Sequence, residues 1–164
     1  MLGRVCAFTG HRTIKKEHIK PLGSLLLRAI NFAYNSGCRT FLTGGAIGFD
    51  TEAARAVVNF RISHPDVRLV SVLPCVNQDE RWSMSDKNNY YYLLGASDEV
   101  VYLYDEYVDR CLKERNLRLA TDCDILIAYV SRTNSGAAQT VRMAEKQNKE
   151  IYNLYPTAER EAVK

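Results

Sequence analysis

The sequence predicts an α/β fold: a Rossmann-like, doubly wound, mainly parallel sheet of about six strands with helices on both faces. Three observations predict it. Short apolar runs alternate with segments of helical period along nearly the whole chain, and that alternation is the mark of βαβ units. The run Val67 to Leu73 is apolar enough to be buried on both faces, as strands inside a parallel sheet are. The chain has 164 residues, 46% hydrophobic and 25% charged, which suits one globular domain with a proper core.

The elements follow in order. Arg4 to Phe8 reads as the first strand and Thr9-Gly10-His11-Arg12 as the loop after it. A helix over 21–36 carries the stripe Leu22, Leu25, Leu26, Ala29, Ile30 and Ala33, with Pro21 suited to its first turn and Gly37 to its stop. Arg39 to Thr43 is the second strand, followed by the loop Gly44 to Gly48. Phe49, Ala53, Ala56, Val57 and Phe60 mark a second helix, ended by His64-Pro65-Asp66. After the third strand, residues 77–95 read as helical with a polar break over 83–86.

Glu99 to Tyr104 is a fourth strand, and Val108, Cys111, Leu112, Arg115 and Leu119 mark a fourth helix. Asp124 to Val130 is a fifth strand, and Ser131 to Gly136 a loop. Ala137, Val141 and Ala144 mark a fifth helix, and Glu150 to Tyr155 is a sixth strand. Residues 1–156 then form a single domain, and 157–164 are a polar C-terminal tail expected to fray.

The net charge is +3, with basic residues scattered. That suits an anionic ligand without marking a nucleic-acid binder. The five cysteines, Cys6, Cys38, Cys75, Cys111 and Cys123, contain no Cys-x-x-Cys pair, so reduced thiols are expected rather than a disulfide framework or zinc site. The N-terminus lacks a signal-peptide core and no apolar run is long enough to span a bilayer, so the expectation is a cytoplasmic protein without membrane contact.

In parallel sheets ligands sit beyond the carboxyl ends of the strands, so three loops become candidates. In the first, Thr9 and Gly10 allow a tight turn. Arg12 can fork onto a phosphate, and His11 can donate a hydrogen bond or serve as acid or base. A solvated basic turn is the alternative. In the second, Gly44, Gly45, Ala46 and Gly48 open a helix, where free N–H groups and the helix dipole favour an anion. This is neither the dinucleotide fingerprint nor a Walker loop. Asp50 is an N-cap or an acceptor for ribose hydroxyls. In the third, Ser131, Ser135 and Gly136 offer a hydroxyl and backbone donors, with Ser135 equally suited to capping a helix that starts at Gly136.

Arg115 falls on an apolar helix stripe, where a charge must pair or reach a ligand. Its structural alternative is a pair with Asp122 or Asp124. Gln78 and Trp82 follow the third strand and can read and stack a base, or simply pack. Of Tyr90, Tyr91 and Tyr92 only some can face the core. His18 and His64 read as solvated helix-end residues, and Cys75, at a strand's carboxyl end, as a candidate pocket wall.

Taken in order, Thr9 to Arg12, Gly44 to Asp50, Arg115-Asn116 and Ser135-Gly136-Ala137 resemble the YpsA-like branch of the SLOG superfamily. The resemblance runs from about Val5 to Leu154. It implies a Rossmann-like domain that binds a nucleotide or nucleotide-derived ligand. Relatives include the LOG phosphoribohydrolases and the DNA-processing protein A family, which binds single-stranded DNA. The phosphoribohydrolase loop resembles Pro-Gly-Gly-x-Gly-Thr-x-x-Glu. Ala137 to Met143 holds no such Glu, so that catalytic carboxylate does not transfer.

The leading expectation is therefore binding of a nucleoside phosphate, an ADP-ribose-like compound or a nucleotide sugar. Phosphate would meet Arg12 and the glycine loops, ribose Asp50, and the base Trp82 or Gln78. One alternative is a hydrolase of N-glycosidic or phosphoester bonds, with His11 or Asp50 as its acid or base. The other is single-stranded nucleic-acid binding. No cofactor and no metal are implied, and homo-oligomerisation is left open.

Overall fold

The computed structural model describes residues 3–164. It contains a six-stranded, wholly parallel sheet in the order β4-β3-β2-β1-β5-β6. The strands are β1 (Arg4–Gly10), β2 (Cys38–Thr43), β3 (Arg68–Leu73), β4 (Glu99–Tyr102), β5 (Ile125–Tyr129) and β6 (Glu150–Asn153). The helices are α1 (Ile19–Asn35), α2 (Phe49–Ser63), α3 (Met84–Ala96), α4 (Cys111–Asp122), α5 (Gly136–Lys146) and α6 (Tyr155–Ala162). The expected Rossmann-like, doubly wound α/β fold is the fold found.

Two apolar layers hold the sheet. On one face Leu22, Leu26 and Ile30 of α1 and Phe49, Val57 and Phe60 of α2 pack on Phe8, Phe41 and Ile127. On the other, Leu119 and Ala120 of α4 and Ala144 of α5 pack on Ala7, Leu42, Val70 and Leu126. Each helix thus buries the stripe that its 3.6-residue period lines up. β5 is buried along its whole length, as a strand inside a parallel sheet must be.

Several boundaries differ from the sequence reading for identifiable reasons. Thr9 and Gly10, expected in a loop, extend β1 because they pair with Ala128 and Tyr129 of β5. α1 begins at Ile19, so Pro21 lies inside its first turn, where the missing N–H costs nothing. The polar break over 83–86 is the start of α3: Ser83 accepts the Asp86 amide at 3.1 Å as its N-cap. β4 stops at Tyr102, although Leu103 still donates to the Leu73 carbonyl.

The tail does not fray after Pro156. It forms α6, with Pro156 in the first turn and Ala158 fully buried. α6 also overturns the reading of His18 as solvated. His18 is fully buried, its Nδ1 2.7 Å from the Tyr129 hydroxyl and its Nε2 2.5 Å from Glu159 on α6. His64 is half-buried and stacks on Phe60 at 3.8 Å. All five cysteines are free and buried, and no described helix is long and apolar enough to cross a membrane.

The strand order reverses at β1. The chain winds outward from β1 through β2, β3 and β4, then returns to lay β5 and β6 on the other side. The loops after β1 and β5 therefore diverge to opposite faces and leave a crevice between them, which is where sheets of this kind hold ligands.

Candidate functional site

A cleft of about 350 Å³ lies at that switch point. β1 and its loop supply Thr9, Gly10, His11, Arg12 and Thr13, and the β2–α2 connection supplies Ala46 and Asp50. α4 contributes Leu112, Arg115, Asn116 and Leu119, and the β5–α5 connection Arg132, Ser135, Gly136 and Ala137. Four chain segments distant in sequence meet there because parallel strands all end on one edge.

His11 lies in the wall, 6% exposed. The Ser131 amide donates to its Nε2 at 2.8 Å, and the Ser131 hydroxyl is 3.1 Å from the same atom. An N–H donor on Nε2 means that the ring's own proton sits on Nδ1. Nδ1 is buried and has no partner. Burial, then the Arg132 charge, hold the His11 pKa below the usual histidine value. His11 is thus a neutral ring with one free N–H donor, and its lone pair is already occupied.

Asp50 lies in the first turn of α2, two residues past the Gly48 N-cap, and is 6% exposed. It is not the N-cap of that helix. Its Oδ2 accepts the Ala46 amide at 3.2 Å, while Oδ1 is buried without a partner. Burial pushes its pKa up to about 6, against the opposing pull of Arg115, the Ala46 amide and Arg12.

Arg115 is also 6% exposed. Its Nη1 donates to the Gly44 carbonyl at 2.6 Å and its Nε to Asn116 Oδ1 at 2.9 Å. Burial lowers its pKa, and Asp50 is the first of the charges that raise it again. Neither anticipated partner engages it: Asp122 pairs with Arg118, and Asp124 accepts the Val5 amide. Asn116 reaches on toward the Gly136 carbonyl at 3.5 Å. Arg115 and Asn116 together tie the loop after β2 to the start of α5.

Ser135 is the N-cap of α5, accepting the Ala138 amide at 3.1 Å. The Gly136 and Ala137 amides belong to the first turn, whose N–H groups have no intrahelical acceptor, and both residues line the cleft. Arg12 and Arg132 are exposed at its rim. Neither forms an ion pair among the described residues.

Of the residues singled out in the sequence, Thr9, Gly10, His11, Arg12, Ala46, Asp50, Arg115, Asn116, Ser135 and Gly136 meet in the cleft. Ser131 stands behind His11. Gly44, Gly45 and Gly48 do not line the cleft; they serve close packing. A Cβ on Gly44 would lie 2.8 Å from Arg115 Nη1, and one on Gly45 2.5 Å from Leu73. Gly48 has φ +82°, and a Cβ there would collide with the Arg12 carbonyl.

Gln78 and Trp82 also stay outside. Gln78 donates to the Gly45 carbonyl at 3.3 Å, and Trp82 packs edge-on against Tyr90 at 5.0 Å. Cys75 is buried away from the cleft. The sequence reading left out Thr13, Leu112, Leu119, Arg132 and Ala137. Arg132 carried a signal as a basic residue in the third loop, and Ala137 as part of the Ser135-Gly136-Ala137 motif.

A larger groove, about 1110 Å³, runs between α1 and α2 and shares Arg12 with the cleft. Its floor is apolar, with Leu22, Leu26 and Phe60. Among the described residues, the buried polar side-chain atoms without partners belong to His11, Asp50, Asn77 and Gln78, and none of these residues lines the groove. His11 and Asp50 line the smaller cleft.

A family model described as the YspA SLOG family matches residues 7–158. The chain belongs to that family. A UPF0398 protein of Bacillus thuringiensis (strain Al Hakam) is 22% identical over 161 residues, covering 93% of this chain and 88% of the relative. The SPbeta prophage-derived protein YoqJ of Bacillus subtilis (strain 168) is 24% identical over 130 residues, covering 71% and 76%.

Among solved structures, DNA processing protein A of Streptococcus pneumoniae superposes with a TM-score of 0.67 at 18% identity. The match covers 92% of this chain and 50% of that one, so the chain spans half the length of that neighbour. The DNA processing protein A of Helicobacter pylori, described for its single-stranded DNA binding mode, gives 0.64 at 17% identity over 90% and 63%. At these identities the likeness is one of fold, and it matches the family in which the chain falls.

Proposed function

We propose that this chain binds a nucleotide or nucleotide-derived anion in the cleft between the carboxyl ends of β1 and β5. The observation that carries the reading is the set of unengaged polar groups of both signs that line one cleft. The donors are the Gly136 and Ala137 amides at the start of α5 and the guanidinium groups of Arg12 and Arg132. Beside them is a buried carboxylate oxygen, Asp50 Oδ1, without a donor. A phosphate satisfies the donors. It is repelled by the carboxylate, which calls for a hydroxyl. A phosphorylated sugar presents both groups a few ångströms apart.

The same groups occur along a single-stranded nucleic acid, and the fold likeness to DNA processing protein A favours keeping that reading as the second. The two differ in salt dependence. A strand neutralised at several phosphates loses affinity steeply with salt, whereas a mononucleotide does so far less. Turnover, if any, falls to Asp50, because the His11 lone pair is held by the Ser131 amide.

Native mass spectrometry of the folded protein with AMP and with ADP-ribose tests the proposal. The expected result is a 1:1 adduct with at least one of them that Arg12→Ala diminishes. If neither forms an adduct distinguishable from a nonspecific nucleoside control, the reading fails.

A further inference from the structure

We propose that the cleft reads the sugar phosphate and leaves the base unread, so that its minimal ligand is a pentose phosphate. This rests on the anion-binding reading above. It follows from the polar groups that line the cleft.

The donors are the Gly136 and Ala137 amides of α5, the guanidinium groups of Arg12 and Arg132, and His11 Nδ1–H. The unengaged carboxylate acceptor is Asp50 Oδ1, and the Thr9 and Thr13 hydroxyls, which turn to donate or accept, also line the cleft. Reading a base edge takes paired donors and acceptors of the kind an Asn or Gln amide supplies. The one side-chain amide in the cleft, Asn116, is spent at both ends: Oδ1 accepts from Arg115 and Nδ2 reaches the Gly136 carbonyl. Arg115 gives Nη1 to Gly44 and Nε to Asn116, which leaves Nη2 as a further cationic donor for an anion. The Ser135 hydroxyl accepts in its cap and keeps its O–H to donate. Gln78 and Trp82, the two residues suited to a base, lie elsewhere.

A pentose phosphate uses the inventory. Its phosphate lies on the α5 amides and the guanidinium groups. One hydroxyl donates to Asp50 Oδ1 in a charge-assisted bond. A second oxygen accepts from His11 Nδ1–H. The order is dictated by charge, since the Asp50 carboxylate repels the phosphate and attracts the hydroxyl. What is left for a base is Leu112, Leu119, Ala46 and Ala137, with the Thr9 and Thr13 hydroxyls, which serve donor and acceptor edges alike. These give contact without directional discrimination. The cleft's size, about 350 Å³, is near the lower end for small-molecule sites, roughly 300–1,000 Å³.

Calorimetric titration of the whole chain with AMP, GMP, CMP, UMP, ribose 5-phosphate and inorganic phosphate tests this. The four nucleotides are expected to bind within about tenfold of one another, since sites without hydrogen bonds to a group discriminate weakly. Ribose 5-phosphate is expected within about tenfold of AMP on the same ground. Asp50→Asn is expected to weaken ribose 5-phosphate by about tenfold or more without weakening inorganic phosphate, which the carboxylate repels. An unaltered far-ultraviolet circular dichroism spectrum shows that this variant is folded. If one base is preferred by much more than about tenfold, or ribose 5-phosphate fails to bind where AMP binds, the inference is overturned and the anion reading survives. If nothing in the panel binds, both fall.

Discussion

The Nη1 of Arg115 lies 2.6 Å from the carbonyl oxygen of Gly44, seventy-one positions earlier in the chain. A buried guanidinium on α4 thereby holds the loop after β2, and its charge faces the buried carboxyl of Asp50. Removing it leaves Asp50 without its main counter-charge and Gly44 without its donor. Arg115→Met is expected to cost about 3 kcal/mol, the loss typical of stranding one member of a buried charge pair. Arg115→Lys keeps the charge but not the fork, and should cost less. Urea unfolding midpoints check both. A loss below about 1 kcal/mol for the methionine variant would place Arg115 among ordinary surface ion pairs.

Two glycines should respond in opposite directions to the same change. Gly48 has φ +82°, and a Cβ there runs into the Arg12 backbone. Gly48→Ala must push the β1 and β2 loops apart and should destabilise by about 2 kcal/mol or more. Gly23 sits inside α1, and a methyl group added there would meet nothing within 4 Å. Gly23→Ala should stabilise by roughly 0.5–1 kcal/mol through helix propensity. Thermal melts of the two variants against the parent decide the matter.

Asp50 sets a pH dependence of known sign. Its pKa rises from 3.8 to about 6 on folding, so between those values the folded chain keeps a proton that the unfolded chain has lost. Stability from this group is fully present below the unfolded pKa and is lost as pH rises through about 6, by about 3 kcal/mol in all. His11 acts in the opposite sense. Its pKa is lowered on folding, so its contribution is lost as pH falls through the ordinary histidine range. The difference between the parent and Asp50→Asn isolates the carboxyl. Its unfolding free energy relative to the variant should decline from pH 5 to pH 7; a flat difference contradicts the assignment.

The His11 ring should carry its proton on Nδ1 at neutral pH, because the Ser131 amide donates to Nε2 at 2.8 Å. Long-range nitrogen–proton correlation spectra of the imidazole distinguish the two tautomers. A ring protonated on Nε2 would mean that the β1 and β5 loops are not joined in this way.

Much of this architecture is legible in the chain because periodicity reports burial. The stripe Leu22, Leu25, Leu26, Ile30 and Ala33 lies in the core where its spacing puts it. Arg115 stands out as a charge on an apolar face, and it is buried at the cleft. Features that depend on long-range partners are not legible. His18 is buried because Glu159 and Tyr129 come to it, and α6 itself stands on the burial of Ala158 against the rest of the domain. The loop Gly44 to Gly48 reads as a phosphate cradle because glycine permits close approach. The approach it permits is to Arg115, Leu73 and Arg12 of the same chain, and a composition pattern does not say which neighbour arrives. Trp82 reads as a stacking platform for the same reason, yet its neighbour is Tyr90.

The direct test of the account is a paired calorimetric titration with AMP and adenosine, on the parent and on Arg12→Ala. The unengaged donors of the cleft require AMP to bind well and adenosine weakly. Loss of the exposed Arg12 guanidinium should weaken AMP by about one to two decades with little change in stability. Adenosine binding as tightly as AMP, with Arg12→Ala indistinguishable from the parent, would contradict it.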